Sequence, residues 1–197
     1  MQMAFDAQTD LTDEALLAAY AAGDAAAARI LTLRLTPRAL SYAVRMLGDR
    51  AEAEDVAQEA MLRLWRAAPG WRAGEARPTT WLYRVVANLC TDRLRRRRPA
   101  PALDEVPEPA DPAPGALSGL IADDRARALQ AALADLPERQ RQAVVLRHLE
   151  GLGNPEIAGI MDIGVEAVES LLARGRRGLQ AALAGRRDDL GYDDEGA

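Results

Sequence analysis

At 197 residues the chain is long enough for one ordinary domain or two small ones, and a hydrophobic content of 49% excludes disorder throughout. Its lone cysteine, Cys90, excludes a disulfide framework, and the lone His148 leaves no zinc-ligand set, so neither metal nor cofactor is expected. The net charge of -5 would disfavour nucleic acid if spread evenly, but the signs are segregated, and all 25 basic residues are arginine, a bias that GC-rich coding also produces.

Alanine, leucine and arginine dominate and only 4% of residues are aromatic, which predicts an all-helical protein. Thr12 caps a first helix opened by Asp13 and Glu14, Gly23-Asp24 resets the chain, and Thr36-Pro37 starts another helix that ends at Gly48. Asp49 with Glu52 resembles a capping box, and the helix that follows buries Ala53, Val56, Ala57, Ala60 and Leu64. A second stripe on it, Asp55, Glu59, Leu62 and Arg66, mixes charge with an exposed leucine. After the loop PGWRAGEARP, Thr79 or Thr80 caps the helix TWLYRVVANLCTDRLRRRR, whose Leu82, Val85, Val86 and Leu89 face the core. Arg84, Asn88, Thr91 and Arg95 recur on another face able to donate hydrogen bonds to DNA, or simply to meet water. Five arginines in the last six positions repel one another, so something negative belongs beside them.

Residues 99–116, with six prolines, four acids and no base, cannot form a regular helix and read as an extended acidic linker. It separates residues 1–98 from 117–187, and an acidic tail spans 188–197. The second half carries Leu129, Leu133 and Leu136, breaks at Pro137 and resumes up to Gly151. Asn154 then caps a short helix with Pro155 in its first position, and the tight DIG turn leads into a longer one, the spacing of a helix-turn-helix. Arg174, Arg176 and Arg177 on its second helix, with Arg141 and Arg147 on the helix before the motif, can reach phosphates or guanine edges.

No apolar run approaches the roughly 18 residues of a spanning helix, and MQMAFDAQTD lacks a signal peptide's basic start and apolar stretch, so a cytoplasmic protein is expected. No phosphate loop, metal cluster or partnered nucleophile is offered, and an enzyme is not expected.

The stretches AEAEDVAQEAMLRLWR, TTWLYRVVANLCTDRLRRRR and LPERQRQAVVLRHLEGLGNPEIAGIMDIGVEAVESLLARGRRGL together resemble the two blocks of bacterial extracytoplasmic-function sigma factors of the sigma-70 family. The resemblance implies two small helical domains, core RNA polymerase and promoter DNA as partners, an anti-sigma factor as regulator, and a role in stress-response transcription initiation. Asp55, Gln58, Glu59, Leu62, Arg63 and Trp65 fall on the surface that docks on polymerase, with Trp65 alternatively a plain core anchor. Trp71, Arg72, Arg77, Tyr83, Arg84, Asn88, Arg95, Arg96, Arg97 and Arg98 fall on the minus-ten reader, which must offer aromatic faces to unstacked bases; Trp81 is expected to pack inward. Arg147, Glu169, Ser170, Arg174, Arg176 and Arg177 fall on the minus-thirty-five reader. Three departures from the family pattern stand out: Asp162 replaces a turn glycine, Gly164 a serine-like cap, and Gly175 an alanine in the middle of the reading helix, where it should weaken that helix.

Two rivals remain at this level. A free-standing helix-turn-helix regulator would not need the arginine-rich first half, and a sigma mimic that only sequesters an anti-sigma factor would not need the retained basic residues.

Overall fold

Three short side chains set where the first helices begin. In this computed structural model, which describes residues 11–72, 74, 76–97 and 117–184 (with side chains from residue 124 onward in the last stretch), Thr12 Oγ1 accepts the Ala15 N–H at 3.2 Å and opens α1 (Asp13–Ala21). Asp24 accepts from Ala26 and Ala27 at 2.8 and 3.3 Å to open α2 (Ala25–Leu47), and Asp49 accepts from Glu52 at 2.9 Å to open α3 (Arg50–Ala67). A 3-10 turn over Ala68–Gly70 leads to α4 (Pro78–Arg97). The second half comprises α5 (Leu117–Ala134), α6 (Glu138–Val144) running into a π turn over Val145–Leu149, α7 (Asn154–Met161) and α8 (Val165–Ala184). The described residues contain no strand. The linker 99–116, the tail 188–197 and Arg98 lie outside the described residues.

Three local expectations are corrected. Thr36-Pro37 does not start a helix: α2 runs through it, because Pro37 and Leu33 lie on the exposed face, where the carbonyl that loses its partner meets water while Ile30, Leu31, Leu35 and Ala39 stay buried. Thr79 does not cap α4; its hydroxyl donates to Asp13 Oδ2 at 2.9 Å and ties α4 to α1. The N-cap of α7 is Gly153 rather than Asn154, and Glu156 reaches back to the Gly153 N–H at 3.0 Å while Asn154 Oδ1 is buried without a partner.

One hydrophobic core runs through both halves of the chain. The C-terminus of α2 shows how they join. Its last four carbonyls would be orphaned by helix geometry. The Val44 and Arg45 oxygens accept from Gln130 Nε2 at 3.2 Å each, Met46 O from Arg141 at 2.7 Å, and Leu47 O from Arg97 at 2.9 Å. Helix α4 consequently has two buried faces: Leu82 and Val86 enter the first bundle, and Tyr83, Ala87 and Cys90 are buried as well, with Val85 and Leu89 half-buried. Burial pushes the Cys90 thiol up to about 12, as suits an inert core residue.

Candidate nucleic-acid interface

The helix-turn-helix is built around an unusual residue. Asp162 closes α7 with φ 54 and ψ 53, the only non-glycine of positive φ among the described residues, so it adopts the left-handed turn without glycine's freedom. Arg139 donates to Met161 O at 3.1 Å and Ile163 N–H to Ala158 O at 3.1 Å, which satisfies the helix end. Val168 and Leu172 anchor α8. Gly175, expected only to weaken α8, has a packing reason: a Cβ there would lie 2.5 Å from Val144 Cγ2 and 3.3 Å from Gln140 O, so only glycine lets α8 approach α6.

On the outward side of α8, Glu169, Arg174, Arg176 and Arg177 are exposed and Ser170 is half-buried, its Oγ accepting from Arg174 at 2.6 Å. Exposed Arg147 and His148 of the π turn belong to the same patch. Partial burial, then Arg176 and Arg147, hold the His148 imidazole below its ordinary value. Arg141 does not join them: it is spent on the carbonyls of Met46, Ala134 and Leu136, and burial lowers its pKa.

On α4, Arg84, Asn88, Arg95 and Arg96 are exposed, but Thr91 donates to Glu138 Oε1 at 2.8 Å. The aromatic expectation is corrected at Tyr83. Tyr83, proposed as an open face, is 2% exposed, edge-on to Tyr42 at 5.8 Å, and its hydroxyl donates to Glu150. Trp81, expected inside, is half-buried: it packs against the core and edge-on to Trp71 at 5.7 Å. Pattern on α4 alone could not distinguish them, since the face of Tyr83 is covered by the second half of the chain. Arg72 and Arg77 are exposed, Arg77 lying 3.6 Å from Glu156. The terminal arginines divide. Arg97 pairs with Glu52 at 2.8 Å and caps Leu47, while Arg93, not singled out from the sequence, donates to Glu52 O at 3.0 Å and lies 3.7 Å from Asp55.

On α3, Leu62 is 49% exposed beside exposed Asp55, Gln58 and Arg63. Glu59 and Arg63 pair at 2.8 Å, and that hydrogen bond holds the Glu59 carboxyl below its usual range. Trp65 is half-buried, with its ring 4.7 Å from that of Tyr20.

Residues 31–100 match the sigma-70 region 2 family and residues 126–179 the sigma-70 region 4 family. The chain is 34% identical over 186 residues to the RNA polymerase sigma-H factor of Pseudomonas aeruginosa, covering 89% of this chain and 95% of that one. It is 31% identical over 179 residues to the ECF RNA polymerase sigma-E factor of Escherichia coli K12, covering 86% and 93%. The chain belongs to the extracytoplasmic-function sigma factors of the sigma-70 family. Against the sigma factor SigG of Mycobacterium tuberculosis it is 34% identical over 184 residues but spans only 48% of that longer protein. Among solved structures, CnrH in complex with the cytosolic domain of CnrY is similar with a TM-score of 0.66 and 26% identity, covering 88% of this sigma factor and 97% of CnrH.

Proposed function

We propose that this sigma factor is a dissociable initiation subunit that docks on core RNA polymerase, reads two promoter elements and stabilises the melted strand, leaving bond chemistry to the polymerase. The observation that carries the reading is the 34% identity extending over 95% of the sigma-H factor. Residues 1–98 serve as the docking and minus-ten unit, 117–187 as the minus-thirty-five unit, and 99–116 as the tether. The cytoplasm is its place of action; among the described residues no helix is long and apolar enough to cross a membrane. Run-off transcription with purified core enzyme on host promoter fragments tests the reading, and the absence of any affinity for core enzyme would sink it.

Docking falls to Asp55, Gln58, Glu59, Leu62, Arg63 and Trp65, with Leu62 as the apolar centre. Leu62→Ala is expected to weaken core binding by about 2 kcal/mol, near 30-fold, while leaving the melting temperature almost unchanged because half of the side chain is already in water. Titration of labelled protein with core enzyme measures it. Control by an anti-sigma factor belongs to the same reading: Leu62 needs cover when transcription is unwanted, and the sigma factor RpoE of Bartonella quintana was co-crystallised with the anti-sigma factor NepR.

Arg147, Glu169, Ser170, Arg174, Arg176 and Arg177 read the upstream element, and His148 reports on them. Because its folded pKa lies below the unfolded value of 6.5, its contribution to stability is present above that pH and is lost as pH falls from there through the folded value. Phosphates neutralising Arg147 and Arg176 remove part of the repulsion. Adding a minus-thirty-five duplex is expected to raise the midpoint. As the only histidine, it can be followed by NMR without assignment. An unchanged midpoint in the presence of saturating duplex would place the DNA elsewhere.

A further inference from the structure

Helix α8 is divided by charge along its length. Its first two turns carry Glu166 and Glu169 and no base, and its arginines follow at Arg174, Arg176 and Arg177. The two glutamates are not equivalent. Glu166 stands in the first turn, where a carboxylate complements the helix dipole, and its Oε2 turns back to the helix start, 3.3 Å from where a Cβ on Gly164 would lie. Glu169 has no such use. It is exposed, lies beyond the first turn, and makes neither a hydrogen bond nor an ion pair among the described residues. Glu166, three residues back, adds like-charge repulsion. Arg174, the nearest cation in sequence, does not neutralise it, because that guanidinium donates to Ser170 Oγ at 2.6 Å.

Position on the helix decides what Glu169 meets, given the initiation reading on which this inference rests. In a helix-turn-helix the N-terminal turns of the second helix face base edges in the major groove. Glu169 and Arg176 lie seven residues apart on one side of α8, about 10 Å along its axis. Arg176 is then placed for the backbone and Glu169 for the groove floor. A carboxylate only accepts hydrogen bonds, so the four bases separate. Guanine offers N7 and O6, and thymine O4 and a methyl, none of which donates. Adenine offers its N6 amino group, but beside the N7 acceptor, which repels a carboxylate. Cytosine offers its N4 amino group with no acceptor next to it on the same base.

We propose that Glu169 sets one position of the upstream element by accepting a hydrogen bond from the N4 amino group of a cytosine. The carboxylate acts twice. It is paired at the right base, and elsewhere it enters an anionic groove unpaired, which lowers affinity for every other sequence. The Ser170–Arg174 hydrogen bond serves both effects, since it holds the neighbouring cation away from the carboxylate.

The test is selection by the full chain, bound to core polymerase, from promoter duplexes randomised across the minus-thirty-five element. The unsubstituted chain should enrich cytosine at one position of one strand about 10-fold. Glu169→Ala should erase the preference at that position alone and bind duplex lacking the element more tightly. Glu169→Gln should move the preference there to adenine, because a carboxamide accepts from N6 and donates to N7. A merely structural side chain would not exchange one base for another. Glu166→Ala should leave the cytosine in place. Glu169 is exposed, so neither of its variants should unfold the chain, and melting curves check this. An enriched element whose preferences all survive Glu169→Ala, or in which that variant relaxes a base other than cytosine, overturns the assignment and leaves the initiation reading standing. So does a cytosine lost in Glu166→Ala instead. An unsubstituted chain that neither binds core enzyme nor enriches any element overturns the initiation reading, and the assignment with it.

Discussion

Gly175→Ala should lower the stability of this sigma factor by about 1–2 kcal/mol, although alanine is the better helix former. Exchange of glycine for alanine inside a helix is worth about 0.8–1 kcal/mol in its favour. Against that, the new methyl would sit 2.5 Å from Val144 Cγ2 and 3.3 Å from Gln140 O. Val144 is buried and branched, and Gln140 O is backbone, so neither yields easily. Overpacking of this kind costs typically 1–3 kcal/mol, which outweighs the propensity gain. Gly178 separates the two terms. Its added methyl would meet only Leu136 Cδ2, the tip of a rotatable side chain, so Gly178→Ala should be close to neutral. Gly159 in α7 has nothing within 4 Å, and Gly159→Ala should stabilise by about 0.5–1 kcal/mol. The order Gly159 above Gly178 above Gly175 in melting temperature tests the argument; a stabilised Gly175→Ala would show that α8 is free to move away from α6. Gly175→Leu should go further, lifting α8 off α6 and displacing Arg174, Arg176 and Arg177 with it.

What could be read from the chain follows the range of the interaction. The caps at Thr12 and Asp49 were legible because donor and acceptor lie within three residues, whereas at Asp24 only a break in the chain was read and not the helix it caps. The apolar stripe of α3 was legible because one face meets one neighbour. Pro37 misled for a local reason: proline favours the first turn of a helix, but a helix can also run through it where the freed carbonyl faces water, as at exposed Leu33 and Pro37. Tyr83 misled for a distant one. Its acceptor lies 67 residues on, and nothing in the periodicity of α4 records a second surface arriving from the far side of the linker. Gly175 was unreadable in the same way. A missing methyl leaves no trace of the helix that occupies its place, so its cause appears only when α6 and α8 are brought together.

The arginine run that closes α4 carries the last prediction, because repulsion among like charges asked for an anion and the structure supplies carboxylates to only part of the run. Arg97 is already engaged: it pairs with Glu52 at 2.8 Å and caps the Leu47 carbonyl at 2.9 Å. The ion pair is partly exposed, near 39% and 36% for its two side chains, so its own worth is below about 1 kcal/mol, and the carbonyl hydrogen bond adds about 1. Arg97→Ala should therefore cost about 1–2 kcal/mol of stability and little promoter affinity. Arg95 and Arg96 are exposed and should behave oppositely. Replacing both with alanine should leave stability within about 0.5 kcal/mol. With two phosphates no longer neutralised, the slope of log affinity against log salt should flatten by about 1.8 and open-complex formation should weaken about 10- to 100-fold at about 0.1 M salt. Binding to phosphate carries no sequence information, so promoters of different sequence should suffer alike. Melting curves and salt titrations of the polymerase complex on two unrelated promoters measure both halves of the claim. If Arg97→Ala flattened the salt slope as much as the double replacement, its pairing with Glu52 would have to break on the way to DNA, and the division of the run into a structural strut and a phosphate-binding pair would be wrong.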